Sequence, residues 1–320
     1  MLFHLSKVFA KFPKVGLHKT ANSFDLGHPI MANREHLTIL KQGASIWNAW
    51  RTRHPEINVD LRQASLRGIR LVGVNLQAAV LVDADLQGAD LSHANLAQAN
   101  LSRANLSEAQ CQSINFDQAL LVGANLRNTN CDEAQLWFGQ LANANLQEAS
   151  LVGAKMTNAT LAKANLRNAS LNAADLSLAL LGEAILTETN LARANLWKAN
   201  LEGARLERAN FRCTNLQRAN LSRCVLQGTN LARANLAQAS FFQASLIAAD
   251  IAKTNFQQAI LVDTDLRGVN LAKVIGIRHE QLRVALTDET TSPPYEWSVS
   301  DEAWGREFTE TEWLSPQLIT

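Results

Sequence analysis

The sequence predicts an all-β solenoid, a chain wound into square coils with its apolar side chains turned inward. Three observations carry this. From Leu61 to Leu271 every fifth residue is large and apolar, at 43 positions without an insertion or deletion, and 35 of them are Leu. The exceptions, Cys111, Phe116, Cys131, Met156, Phe211, Phe241, Ile251 and Phe256, all suit a core. Two residues before each centre sits a small residue, usually Ala, as at Ala84, Ala89, Ala94 and Ala99. One residue before it, Asn or Asp is commonest, as at Asp85, Asp90, Asn95 and Asn100. A fixed period held over so long a stretch is the signature of stacked repeats.

A period of five fits neither the helical period of 3.6 nor the strand period of 2. In a long α-helix these leucines would spread around the circumference. In a continuous strand they would alternate between faces. The chain must therefore turn regularly. If each five-residue unit forms one side of a square, every Leu and every small residue points inward together, and four units close one coil. The pattern in Ala94-Asn95-Leu96-Ala97-Gln98 resembles the pentapeptide-repeat family. The resemblance implies a right-handed quadrilateral β-helix, here over residues 59–275. At about 4.8 Å per coil, some 10–11 coils would extend roughly 50 Å. Short α-helical caps are expected at both ends. Proline, which removes a ladder donor, is absent between Pro55 and Pro293. Gly68, Gly73, Gly88, Gly123 and Gly153 fall two residues after a centre, where a corner is expected.

The elements follow in order. Residues 1–33 form a basic extension, with Lys7, Lys11, Lys14 and Lys19 before the first acid, Asp25. It reads either as a disordered segment or as a transit or membrane-surface segment; lysines interrupt its apolar run, so a secretory signal fits poorly. The run from Met31 to Leu37 resembles the opening of other family members, which makes Met31 the expected natural start. Residues 34–58 hold a capping helix. Asn33 is its expected N-cap, Leu37, Leu40, Ala44, Trp47 and Trp50 share one face over 34–53, and Pro55 stops it. Its sequence from Leu40 to Arg51 resembles the helix that precedes the coils in the family. Such a cap covers strand edges that would otherwise stay unpaired. After Leu271 the pattern fades, and 276–290 reads as a C-terminal cap with a short helix over His279 to Ala285. Residues 291–320 form an acidic tail with Trp297, Trp304 and Trp313. It is read as mobile, as folding over the rod, or as a docking motif.

Composition narrows the chemistry. The 320 residues are 47% hydrophobic with a formal charge of +1, which argues against electrostatics as the main business. No apolar run is long enough for a membrane span. Cys111 and Cys131 are one coil apart in one inward column; the spacing permits a disulfide, and the plainer reading is two small buried side chains in a reducing cytosol. Cys224 takes an inward position and Cys213 an outward one. Only His93 among the histidines lies in the coils, and no metal-binding, phosphate-binding or nucleophile motif occurs. The Asn and Asp before each centre read as corner residues that bond local backbone. No enzyme, metal or cofactor is expected, and the expected location is the cytoplasm.

Function is expected on the outer walls. Folding the chain at four units per coil places Val80, Val82, Leu120, Val122, Leu180, Phe242, Ile260 and Val262 in two neighbouring columns of one wall, a candidate stripe for a protein partner or a homodimer. Trp137, Phe138 and Trp197 form a candidate aromatic patch on another wall, the plainer reading being packing against a terminal segment. A basic belt through Arg193, Lys198, Arg205, Arg208, Arg212, Arg218, Arg223 and Arg233 is interrupted by Glu183, Glu188, Glu202 and Glu207, so it reads as solvated surface before nucleic-acid binding. The leading expectation is a non-catalytic interaction scaffold or regulatory adaptor. The resemblance raises an alternative, since some family members protect DNA gyrase from quinolones by resembling DNA. That role calls for an acidic rod, and these coils carry about as many bases as acids.

Overall fold

The computed structural model describes residues 31–294. The basic extension up to Ile30 and the acidic segment from Tyr295 onward lie outside the described residues. Within the repeat, every fifth residue from Asp60 to Ser245 makes a parallel bridge to the residue twenty positions on, as in Asp60 to Val80, Ser65 to Asp85, Arg70 to Asp90 and Asn75 to Asn95. Four bridges per coil give four walls. Each centre donates its N–H to the coil above, Leu81 to Asn100 O at 2.7 Å, and each residue before a centre donates to the coil below, Val80 to Val59 O at 2.9 Å. Backbone groups are thus satisfied between layers, where a flat sheet would satisfy them sideways.

Each corner is a tight turn. Ala64 N donates to Leu61 O at 3.1 Å, and Gln63 between them has φ 57°. A bond from the fourth residue to the first, with positive φ only at the third, is the geometry of a type II turn. The expectation of Gly at this place holds at Gly68 and Gly88, yet most corners use other residues, such as Phe138 at φ 56° and Leu178 at φ 61°. A non-glycine residue there costs on the order of 1 kcal/mol, so stacking must over-determine the corner. Stacking also organises the column of Asn and Asp. Asn125 Oδ1 accepts from Arg127 N at 3.2 Å within its own corner. Its Nδ2 donates to Asn105 Oδ1 one coil below at 3.1 Å, and Asn145 repeats this on Asn125 at 3.3 Å. The corner bond is the role expected from the sequence, and the ladder between coils is additional.

The interior is filled by the centres and the small residues. Leu61, Leu81, Leu101 and Leu121 are fully buried, as are Phe116, Phe211 and Met156. Each buried Leu is worth about 1.5–3 kcal/mol over an exposed one. Several small positions are Thr, and these are not orphaned: Thr189 donates to Leu166 O at 2.7 Å and Thr214 to Leu191 O at 2.8 Å. Cys111 and Cys131 lie buried and free in one column, and Cys224 is buried and free as well. The neighbouring Cys131 and burial hold the Cys111 thiol well above the ordinary value, and burial pushes Cys224 up to about 12. Cys213 is exposed.

At the N-terminal end the single helix expected over 34–53 is two: α1, Arg34–Leu40, and α2, Ala44–Arg53. Gly43 at φ 105° cannot continue a right-handed helix, and Gln42 and Gly43 close a turn onto Ile39 O and Leu40 O. Asn33 caps α1, its Oδ1 accepting from Glu35 N at 2.9 Å and His36 N at 3.2 Å. The helices take the place of a preceding coil on two sides. At Asp60, His36 Nδ1 accepts the N–H at 3.1 Å and Asn33 N donates to the carbonyl at 3.1 Å. At Asn75, Asn48 Oδ1 accepts the N–H at 2.8 Å and Trp47 Nε1 donates to the carbonyl at 2.7 Å. Trp47 is fully buried, with Trp50 packed beside it at 5.0 Å between ring centroids.

At the other end the expected helix shortens to α3, His279–Leu282. The cap also runs past the expected boundary at 290. Leu266 N donates to Leu286 O at 2.8 Å and Leu271 N to Ser292 O at 2.9 Å, so a last, irregular coil closes the stack. Thr291 is buried and donates to Leu266 O at 3.1 Å.

Candidate interaction walls

The first wall carries the expected apolar columns. Successive bridges join Val80, Asn100, Leu120, Gln140, Thr160, Leu180, Asn200, Asn220, Ser240 and Ile260 in one line. Val82, Val122, Phe242 and Val262 occupy the column two residues on, each accepting a backbone N–H from the coil below, as Val122 O does from Arg103 at 2.9 Å. Leu120, Leu180 and Ile260 are 40%, 48% and 51% exposed, whereas Val80, Val82, Phe242 and Val262 are half-buried. The side chains do not form an unbroken stripe. Asn100 separates Val80 from Leu120, Gln140 and Thr160 separate Leu120 from Leu180, and three polar residues precede Ile260. The wall is a flat polar surface with apolar islands, the largest being Phe242, Ile260 and Val262.

The fourth wall carries Trp137, Phe138 and Trp197. The ladder runs Phe138 N to Thr157 O, Asn158 N to Ser177 O and Leu178 N to Trp197 O, which puts the two tryptophans three coils apart in one column. Trp137 and Phe138 are exposed and Trp197 is half-buried. Lys198 Nζ lies 4.4 Å from the Trp197 ring centroid, a cation–π contact that covers one face. Beside Trp137 and Phe138 is an open depression of about 560 Å³ floored by Thr157 and Asp175. Burial opposes the Asp175 charge, but the Ser177 N–H and hydroxyl, Thr157 and Asn195 outweigh it and hold its carboxyl below the ordinary value. Leu178, exposed one column over, belongs to this patch; the sequence step of forty from Phe138 would have disclosed it.

The basic belt divides by wall. Arg205 pairs with Glu207 at 3.1 Å, Arg208 with Glu188 at 2.7 Å and Arg223 with Glu202 at 3.6 Å. Arg218 donates to Gln238 Oε1 at 2.6 Å. Arg193, Arg212 and Arg233 lie on the third wall and make no ion pair among the described residues. No cluster of His, Cys, Asp and Glu among the described residues is arranged to hold a metal ion, and no described helix is long and apolar enough to cross a membrane.

A family profile described as pentapeptide repeats matches in eight copies, between residues 57 and 275. The chain belongs to the pentapeptide-repeat family. Membership carries the right-handed quadrilateral β-helix, in keeping with the four bridges per coil. This pentapeptide-repeat protein is similar to HetL of the cyanobacterium Nostoc sp. strain PCC 7120, described as involved in heterocyst differentiation regulation, at 32% identity over 67% of this chain and 94% of that one, TM-score 0.41. It is similar to a trypsin-treated variant of QnrB1, a plasmid-mediated fluoroquinolone resistance protein, at 17% identity over 58% of this chain and 91% of that one, TM-score 0.43. A pentapeptide-repeat protein of the Arabidopsis thaliana thylakoid lumen is 27% identical over 35% of this chain and 76% of that one, TM-score 0.30. No curated protein matches the chain.

Proposed function

We propose that this pentapeptide-repeat protein is a non-catalytic scaffold or regulatory adaptor that binds a partner protein, or a second copy of itself, on its first wall. The observation that carries the reading is the exposure of Leu120, Leu180 and Ile260 in one column, at a position that elsewhere is mostly Asn, Asp or Ser. Exposed apolar islands rimmed by polar groups suit protein contact. Because every coil repeats the same backbone, the wall is flat, and contact area accumulates along it. The aromatic patch of the fourth wall is a second surface of the same kind. Mimicry of DNA is the less favoured reading, since acids such as Asp83 and Glu188 are neutralised by Arg103 and Arg208.

The test is the double substitution Leu120→Lys with Ile260→Lys. Both side chains are outside the core, so the fold is expected to persist by circular dichroism. Self-association by light scattering, or capture of the protein's partner from its native cell, is expected to be abolished. Unchanged oligomeric state together with unchanged capture would overturn the proposal. Inhibition of gyrase supercoiling at low concentration would favour DNA mimicry instead.

A further inference from the structure

The third wall changes character along its length. Its first half carries Asp90, Asp132 and Glu133 alongside Arg70 and His93. Its second half carries Arg193, Arg212, Arg233, Lys253 and Lys273, all exposed, with Asp250 as the one acid on that stretch. Four of the five cations stand in one corner column, with Cys213 between Arg193 and Arg233. The backbone ladder fixes that alignment: Arg193 N donates to Arg212 O, Cys213 N to Ala232 O, Arg233 N to Ala252 O and Lys253 N to Lys273 O. None of the five side chains makes an ion pair or a hydrogen bond among the described residues, whereas the arginines of the other walls are largely paired. A row of like charges one coil apart, about 4.8 Å, is self-repelling and stands to gain from an anionic partner.

We propose that this row is a docking track for residues 295–320 of the same chain. The described chain ends at Pro294, and Ser292 pairs with Asn270 on this same wall, beside Lys273. The segment that follows holds Glu296, Asp301, Glu302, Glu307, Glu310 and Glu312 against a single base, Arg306. From Lys273 to Arg193 is four coils, roughly 19 Å, a distance that about six extended residues cover. The segment therefore reaches every cation of the row with acids to spare. Beside the row run Ala192, Ala232, Ala252 and Ala272, small enough for a chain to lie flat on them. No aromatic side chain stands there to stack a base, so an acidic peptide suits the wall better than a nucleic acid. Each exposed pair is weak, but tethering gives an effective concentration on the order of millimolar, and screening makes the contact sensitive to salt.

Cys213 supplies the probe, being the exposed cysteine in the middle of the row. The full chain is labelled there with benzophenone maleimide, irradiated at low salt and mapped by mass spectrometry. Crosslinks to residues 295–320 in a product of single-chain mass are expected. They should fall about five-fold or more in 0.5 M salt and in an Arg233→Glu, Lys253→Glu variant. Adding Glu307→Lys and Glu310→Lys to that variant should restore them, which a misfolded variant would not allow. Crosslinks absent from the segment, indifferent to charge reversal, or confined to two-chain products would overturn the proposal. Absence of crosslinks together with tight binding of a single-stranded oligonucleotide would assign the row to nucleic acid.

Discussion

The two ends of the coil stack face one problem, unpaired backbone edges over an apolar interior, and they solve it differently. At the first coil separate helices supply the partners, mostly through side chains: His36 and Asn48 accept, and Trp47 donates. At the last coil the chain supplies most of them through its own backbone, with Leu286 and Ser292 standing in for a regular coil and the Gln281 and Thr291 side chains adding donors. An end closed by a few side chains depends on each of them. An end closed by backbone spreads the work and tolerates substitution.

The largest effect is expected at Trp47, which is both core and hydrogen-bond donor. Trp47→Ala should cost about 3–5 kcal/mol, read as a lowered urea midpoint; a loss under about 1 kcal/mol would mean the helices are dispensable. Next comes a paired comparison. Asn48→Ala leaves Asn75 N without its acceptor and should cost about 1–3 kcal/mol. Gln281→Ala at the opposite end should cost less, about 0.5–1 kcal/mol, although Gln281 Nε2 donates to both Phe256 O and Ala259 O. The Phe256 carbonyl keeps its bond from Ala259 N at 3.0 Å, and the Ala259 carbonyl that loses its donor is an acceptor, less costly to leave under-satisfied than an N–H. Equal losses at the two ends would erase the distinction.

Acid is expected to act weakly on both ends. The Arg62 side chain beside Asp60 holds its carboxyl below the ordinary 3.8, and Arg267 does the same for Asp265. A depressed carboxylate contributes stability that is complete above the unfolded value and is lost as pH falls through the folded one. Melting temperature should therefore be flat from neutral pH down to about 5 and decline below about 4. Arg62→Gln and Arg267→Gln should each shrink that decline slightly, because the pairs are partly exposed.

What the sequence disclosed follows from periodicity. The inward columns repeat without a slip, so coil, wall and register were legible before any coordinates. The column positions of Leu120, Ile260, Trp137 and Trp197 were legible for the same reason. The aperiodic features were not. A single Gly43 divides a helix whose apolar spacing runs straight through it. The closing coil pairs Asp265 with Leu286 and Asn270 with Ser292, offsets that no repeat announces. The sequence showed a belt interrupted by acids, but which cations are neutralised, as Arg205, Arg208 and Arg223 are, depends on rotamers and emerged only in three dimensions. Exposure likewise divided the apolar columns into islands.

The unbroken register has a consequence for how such a chain can change length. Inserting one pentapeptide leaves the interior satisfied, yet it rotates everything downstream by a quarter turn, so that Ile260 would leave the wall of Leu120 and face a different side. Inserting four only lengthens the stack. Growth by whole coils therefore preserves what the surface presents, while growth by single sides reshuffles it at almost no cost to folding.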